Sequence, residues 1–334
     1  MTDAVTLSPQ DARDLARTAL MRVGMVEAAA NALAGATVDA EMAGKSAIGF
    51  AHLADYLRSL VDGRIAGLAE PLITSPVPAI VKCDAMGGVA QHGFSIVLEE
   101  LVTKTKALGI AVFTVQNSYT TGELGWYVAQ LAREGLVAIA ATNGPALLAG
   151  AGSRLPVYCT NPLAFAAPLA DGRFLLVDQS SSATAYVNIR EAAARGEAIP
   201  EGWALDQEGE PTTDPFAAMK GALLAFGGTR GANVALMVEV LAAGLTGANW
   251  SLDAPDFQAG DASPGVGLFI LALAPQLLAD GFAHRFAEQV GRLSSVYGVH
   301  IPGLDRVERQ RRAESAGIVL PRQLFDSISS FRRN

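Results

Sequence analysis

The chain is short of cysteine, histidine, aromatic residues and any dense positive face, and most of these shortages remove a class of function. Only Cys83 and Cys159 occur in 334 residues. They lie far apart in sequence and lack partners at metal-ligand spacing, so neither a disulfide framework nor a zinc site is expected, and both thiols are predicted to be buried. The formal net charge is -8, which argues against nucleic acid as the main partner, because neutralising phosphates takes a concentrated face of Lys and Arg. No apolar run approaches the roughly 18 residues of a membrane span, and Met1-Thr2-Asp3-Ala4 does not read as a signal sequence. The expectation is a soluble cytoplasmic protein with no membrane, metal or nucleic-acid partner. Also missing are a Gly-x-Gly-x-x-Gly turn after a strand and a phosphate-loop lysine, so the ordinary dinucleotide and nucleoside triphosphate fingerprints are absent.

What is present is length and apolar content. With half its residues hydrophobic, the chain exceeds the size at which one core stays efficient, and two parts are expected. Residues 1-75 read as a helical segment that packs with C-terminal helices in 275-334, and residues 76-274 read as an α/β layer. Ser8-Pro9-Gln10-Asp11 is a helix start, with Ser8 as cap and Pro9 in the first turn. Gly24 stops that helix, and further helices are predicted from about Glu27 to Ala43 and from about Ile48 to Val61.

Beyond Pro78 the period changes. Strands are predicted at 79–83, 110–115, 137–141, 163–167, 174–177 and 266–273, and helices at about 89–108, 125–134 and 232–245. Residues 196–215 read as a loop, and Pro275 is expected to open a helix that runs to about Arg292.

Several segments carry polar residues where strands hand over to helices. Gly227-Gly228-Thr229-Arg230-Gly231 precedes an apolar helix; its glycines expose backbone amides, Arg230 adds a cation, and the helix presents its positive end to an anion. A tight helix cap explains the same residues equally well. Thr120-Thr121-Gly122 follows a strand, where amides and hydroxyls can hold a pyrophosphate. Asp178-Gln179-Ser180-Ser181-Ser182 also follows a strand, Thr160-Asn161-Pro162 precedes one, and Ile301-Pro302-Gly303 leads into Arg306, Arg309, Arg311 and Arg312. That arginine cluster reads either as a solvated helix or as a contact to a cofactor phosphate.

Together with Gly49 and Tyr56, these segments make the chain from about residue 8 to about 325 resemble the malate/L-lactate dehydrogenase family, which includes the Δ1-piperideine-2-carboxylate and Δ1-pyrroline-2-carboxylate reductases. The resemblance implies a non-Rossmann α/β nicotinamide-binding fold with a helical cap, an intertwined homodimer, and NADPH or NADH as cofactor. It assigns cofactor binding to Thr120, Thr121, Gly122, Asp178, Gln179, Ser180, Thr229, Arg230, Gly303 and Arg306. A mean hydropathy of +0.28 is high for a soluble monomer and agrees with the dimer.

The catalytic positions depart from the family pattern. Family members carry Ser-His-Gly, then an Arg and a Tyr, where this chain has Ala47-Ile48-Gly49, His52 and Tyr56. The reductase branch implies a Ser, a His donor and an Asp at Ala47, Ile48 and Asn188, and none of these three residues can move a proton. His at the family position of Thr120 is also replaced, and Tyr186 stands where the family has Arg. Two explanations are open. His52, four residues after Ile48 on a predicted helix, supplies the acid one turn along; or the acid is abandoned, because a cyclic imine binds already protonated, whereas a carbonyl gains about 10²–10⁴-fold from a positioned acid.

The leading expectation is an NAD(P)H-dependent reductase of a small cyclic 2-imino or 2-oxo carboxylate. His52 and Asn188 are its catalytic candidates, with Ile48, Thr160 and Tyr186 at the substrate. Competing expectations are a different reaction, in a polar pocket of Tyr119, Tyr186 and His52, and an inactive cofactor-binding paralogue.

Overall fold

The computed structural model describes residues 3–257 and 259–332; Met1, Thr2, Gln258, Arg333 and Asn334, and with them the outer limits of the expected terminal segments, lie outside. The helical start forms as its sequence dictates. The Ser8 hydroxyl accepts the Asp11 amide at 3.1 Å and opens α1 (Pro9–Arg22), which is followed by α2 (Glu27–Met42) and α3 (Phe50–Val61).

These three helices bury Leu20, Leu33, Phe50, Leu53 and Leu57 in one core with Ile318, Leu320 and Ile328 from the far end of the chain. Residues 4–7, expected to lie in purely helical sequence, form a strand instead. They pair antiparallel with Ile318–Pro321, Ala4 opposite Pro321. A four-residue strand whose only partner is more than 300 residues away has no local signal, since strand pairing is a long-range event.

The α/β layer is a seven-stranded sheet in the order Leu72–Val77, Ile80–Asp84, Ile110–Ser118, Val266–Leu273, Val137–Thr142, Leu163–Pro168, Phe174–Gln179. Only the second and third of these run parallel; every other neighbouring pair is antiparallel. This explains the missing Gly-rich fingerprint, which belongs to parallel βαβ units. The first strand was not expected, because Pro76 and Pro78 interrupt its pattern. Helices α4 (Ala90–Leu108) and α5 (Leu124–Arg133) cover the sheet through Phe94, Leu101, Trp126, Tyr127 and Leu131.

A smaller five-stranded sheet takes its strands from residues 148–149, 156–158, 204–205, 211–212 and 222–223. The stretch 196–215, expected to be a loop, thus contributes two strands, each too short to show alternation. Helix α6 (Tyr186–Arg195) packs here through Ile189 and Ala192.

Other differences are local. The expected 232–245 helix is α-helical only over Thr229–Glu239 and continues as a π turn to Gly244. Pro275 opens a 3₁₀ turn, and the long helix runs from Phe282 to Tyr297, packing Val290 and Phe286 against Leu169 and Leu175 of the sheet-edge hairpin rather than against the N-terminal helices. Among the described residues no helix is long and apolar enough to cross a membrane.

Candidate active site

The segment between α2 and α3 does not continue as helix. Ser46–Ile48 is a 3₁₀ turn, Gly49 has φ -90 and ψ -125, and α3 begins at Phe50. The cause is Glu41 on α2, whose carboxylate accepts the Phe50 amide at 2.9 Å and the Ser46 hydroxyl. A Cβ at Gly49 would lie 2.3 Å from that carboxylate, so a side chain there would displace Glu41 from its cap. Ile48 and His52 therefore do not share one continuous helical face; the expected one-turn displacement of the acid is corrected to a position inside α3 proper.

His52 faces a cavity of roughly 200 Å³ lined by Ala47, His52, Asp55, Tyr119, Thr120, Tyr186, Val187, Arg190 and Phe257. Its Nδ1 lies 3.2 Å from Asp55 Oδ2, and the edge of its ring meets Tyr56 with centroids 4.7 Å apart. The hydrogen bond from His52, together with the charges of His52, Arg58 and Arg190, outweighs partial burial and holds the Asp55 carboxyl below its usual range. An ionised carboxylate only accepts, so Nδ1 carries the hydrogen and Nε2 is the atom that exchanges a proton.

Tyr119 enters from the end of a strand, aimed by Asn117 in a left-handed conformation (φ 59). Its hydroxyl donates to the Phe257 carbonyl at 3.0 Å and lies 2.7 Å from Ser59 Oγ, which leaves it a wall rather than a proton source. Burial raises the Tyr56 phenol well above its ordinary value.

A second cavity, roughly 290 Å³, is lined by Lys45, Asp178, Gln179, Gly303, Arg306 and Arg309 among others. Behind it sits a four-member charge cluster. Lys45 Nζ lies 2.9 Å from Glu123 and 3.0 Å from Asp178, and Arg306 grips Glu123 with both terminal nitrogens. Glu123 is 1% exposed and Arg306 5%. Burial pushes Glu123 up, but Arg306 and then Lys45 more than reverse this and hold it below the usual carboxylate range. Burial likewise lowers Lys45, while Asp178 and Glu123 raise it to a net increase.

A family model described as malate/L-lactate dehydrogenase matches residues 7–329. The chain belongs to this family. It is 35% identical over 326 residues to a (2R)-3-sulfolactate dehydrogenase (NADP(+)) of Chromohalobacter salexigens, covering 97% of each chain. It is also 35% identical to a Δ1-pyrroline-2-carboxylate/Δ1-piperideine-2-carboxylate reductase of Pseudomonas putida, covering 95% of this chain and 94% of that one. The solved Δ1-piperideine-2-carboxylate reductase of Pseudomonas syringae pv. tomato superposes with a TM-score of 0.93 at 32% identity, covering 98% and 99% of the two chains. The fold is that of the malate/L-lactate dehydrogenases, and the chain is an oxidoreductase.

Against this family frame, the residues singled out in the sequence fall into separate places. Ala47, His52, Thr120 and Tyr186 meet in the first cavity; Asp178, Gln179, Gly303 and Arg306 meet in the second. Gly227, Gly228 and Thr229 line a third, roughly 470 Å³, with Gly150 to Ser153. Arg230 is exposed and outside that lining.

Asn188, expected at the reacting centre, is exposed and donates to Thr184 Oγ1 at 3.0 Å. It is not part of the first cavity, because on α6 residue 188 points away from the face that carries 186 and 190. Ile48 and Thr160 are half-buried and also lie outside that lining; the Thr160 carbonyl accepts the Ser181 amide at 2.8 Å. Thr121 and Gly122 are packed from behind, with Gln91 Nε2 and the Tyr127 hydroxyl donating to the Thr121 carbonyl, and Ser180 Oγ accepts from Ser182 Oγ at 2.9 Å.

Arg306, expected on a solvated helix or at a phosphate, is instead a buried ion-pair partner. Gly303 has a structural duty as well, since a Cβ there would lie 2.6 Å from the Leu176 backbone nitrogen. Sequence reading missed Lys45, Asp55, Glu123 and Arg190. Asp55 had a usable signal, three residues after His52 on a helix and so on its face; the other three are defined only by tertiary neighbours.

Proposed function

We propose that this oxidoreductase reduces a small cyclic 2-imino carboxylate or the related 2-oxo carboxylate with hydride from NADPH or NADH. The observation that carries the reading is one small cavity holding an Asp-oriented histidine and an arginine, while Ala47 in the same wall supplies no donor. The family relationship to a sulfolactate dehydrogenase and to imino-acid reductases supports the substrate class.

The glycine-lined third cavity suits the phosphates of a nicotinamide dinucleotide. Gly227 and Gly228 have positive φ with nothing within 4 Å of a Cβ, so backbone opens directly onto the space at the start of an 11-residue helix, where the Thr229 and Arg230 amides can meet an anion while that of Gly231 donates to the Phe226 carbonyl. Thr229 adds a hydroxyl there, while Lys45, Asp178 and Gln179 line the second cavity. When bound, the nicotinamide supplies the hydride. His52, protonated at Nε2, delivers a proton to a developing alkoxide and remains in the tautomer that Asp55 already holds. An iminium substrate arrives with its proton and takes only the hydride, so it depends less on His52.

Oxidation of NADPH and NADH should be followed with Δ1-pyrroline-2-carboxylate, Δ1-piperideine-2-carboxylate, pyruvate and oxaloacetate. Turnover of the imines, with weaker carbonyl turnover, is the expected result. Silence with all four despite cofactor binding would overturn the proposal in favour of a diverged reaction or an inactive paralogue.

A homodimer is part of this reading. Leu236, Met237 and Val240 on this helical stretch, and Leu245 at its C-cap, are 46–63% exposed, a concentration of apolar surface that a second copy would cover. Light scattering should give about twice 34.6 kDa; a monomer mass would remove this part.

A further inference from the structure

We propose that Arg190, on α6, is the group that receives the substrate's carboxylate. The inference rests on the first cavity being the site of a small anionic substrate, and it names the residue that makes the site select for one.

The charges facing that cavity are His52, Asp55 and Arg190. Asp55 is committed to His52. Arg190 makes no hydrogen bond or ion pair among the described residues, yet its field is felt at Asp55. It is thus an unspent guanidinium at the mouth of the cavity, and it is the single arginine in the lining.

Its placement follows from how α6 is held. Ile189 and Ala192 are buried in the small-sheet core, which fixes the rotation of the helix. Tyr186 and Arg190, four residues apart, consequently share the face turned to the cavity. A guanidinium offers a planar fork that a carboxylate can accept with both oxygens. Since α6 brings the cation and α3 the imidazole, a molecule small enough for roughly 200 Å³ touches both. Its carboxylate on Arg190 then turns the neighbouring C=N or C=O carbon and heteroatom toward His52 and Thr120, the kind of fixed orientation that shortens the path to reaction.

The test is a titration of the NADPH-loaded protein with pyrrole-2-carboxylate, a stable planar mimic of a cyclic imino acid, and with its neutral twin pyrrole-2-carboxamide. Wild type should prefer the carboxylate by about 10- to 100-fold, the range for a charge-assisted pair. Arg190→Gln should lose that preference while binding the carboxamide as before, which also shows that the variant is folded, and Arg190→Lys should recover part of it. A preference that persists in Arg190→Gln overturns the assignment and leaves the proposed reductase activity standing. Failure of the wild type to bind either probe overturns the assignment together with the reading beneath it.

Discussion

Replacing His52 with Gln should lower kcat for a 2-oxo carboxylate by about 10²–10⁴-fold, the contribution of a positioned general acid, and should affect a cyclic imine far less. Gln keeps polarity and approximate size but has no proton to give at neutral pH. The difference between substrates is the informative quantity, because a general loss of folding or cofactor binding would depress both. His52 is set on α3 by the Asp55 hydrogen bond and by the Tyr56 ring, so Asp55→Asn should show a smaller loss with the same substrate dependence, through a misdirected tautomer. Steady-state kinetics on the purified variants decide the matter. Equal and slight effects on carbonyl and imine would mean that water delivers the proton and that His52 is a packing residue.

The largest stability loss is expected at Glu123. Its carboxylate is the common partner of Arg306 and Lys45, and Glu123→Gln would leave the buried Arg306 without its acid and the half-exposed Lys45 with Asp178 alone. Breaking a buried pair from one side costs about 3–5 kcal/mol, roughly 10 °C in thermal midpoint for a protein of moderate size. Differential scanning calorimetry reads this directly. Adding Arg306→Met should restore part of the loss, because replacing both partners by well-packed neutral groups removes the orphaned charge; no restoration would show that the pair is not the source.

The same cluster sets a pH dependence. Glu123 titrates in the folded protein below its ordinary value of 4.5, so its contribution is complete above that value and lost as pH falls through the folded one. Lys45 is raised above 10.5, so its contribution is complete below that value and lost as pH rises through the folded one. Glu123→Gln should therefore flatten the acid limb of stability, and a limb unchanged from wild type would contradict this.

How much of the molecule was legible in its sequence depended on range. Elements with a local rule were placed to within a few residues: α1 by Ser8 and Pro9, α4 by its helical period, and the strand 266–273 by its apolar run. Elements defined by a distant partner were not. The strand 4–7 exists because 318–321 is beside it, and α3 starts two residues late because Glu41 reaches across from α2 to cap it. His52 could be named because it stands where the resembled family has an Arg, four residues after Ile48. Arg190 could not, because an arginine on an amphipathic helix is ordinary until the opposite wall is known.

By itself, then, the sequence determined the α/β alternation and the absence of a parallel dinucleotide fingerprint, which follow from periodicity and motif, and, through the family resemblance, the loss of donors at Ala47 and Ile48. Only the tertiary structure decided which polar residues share a space. It put His52, Asp55 and Arg190 around one cavity, turned Asn188 away from it, and committed Arg306 to Glu123 instead of to solvent. The physical reason is that ionic and hydrogen-bonding roles are set by distance and burial, and in this chain those are fixed by packing between segments far apart in sequence.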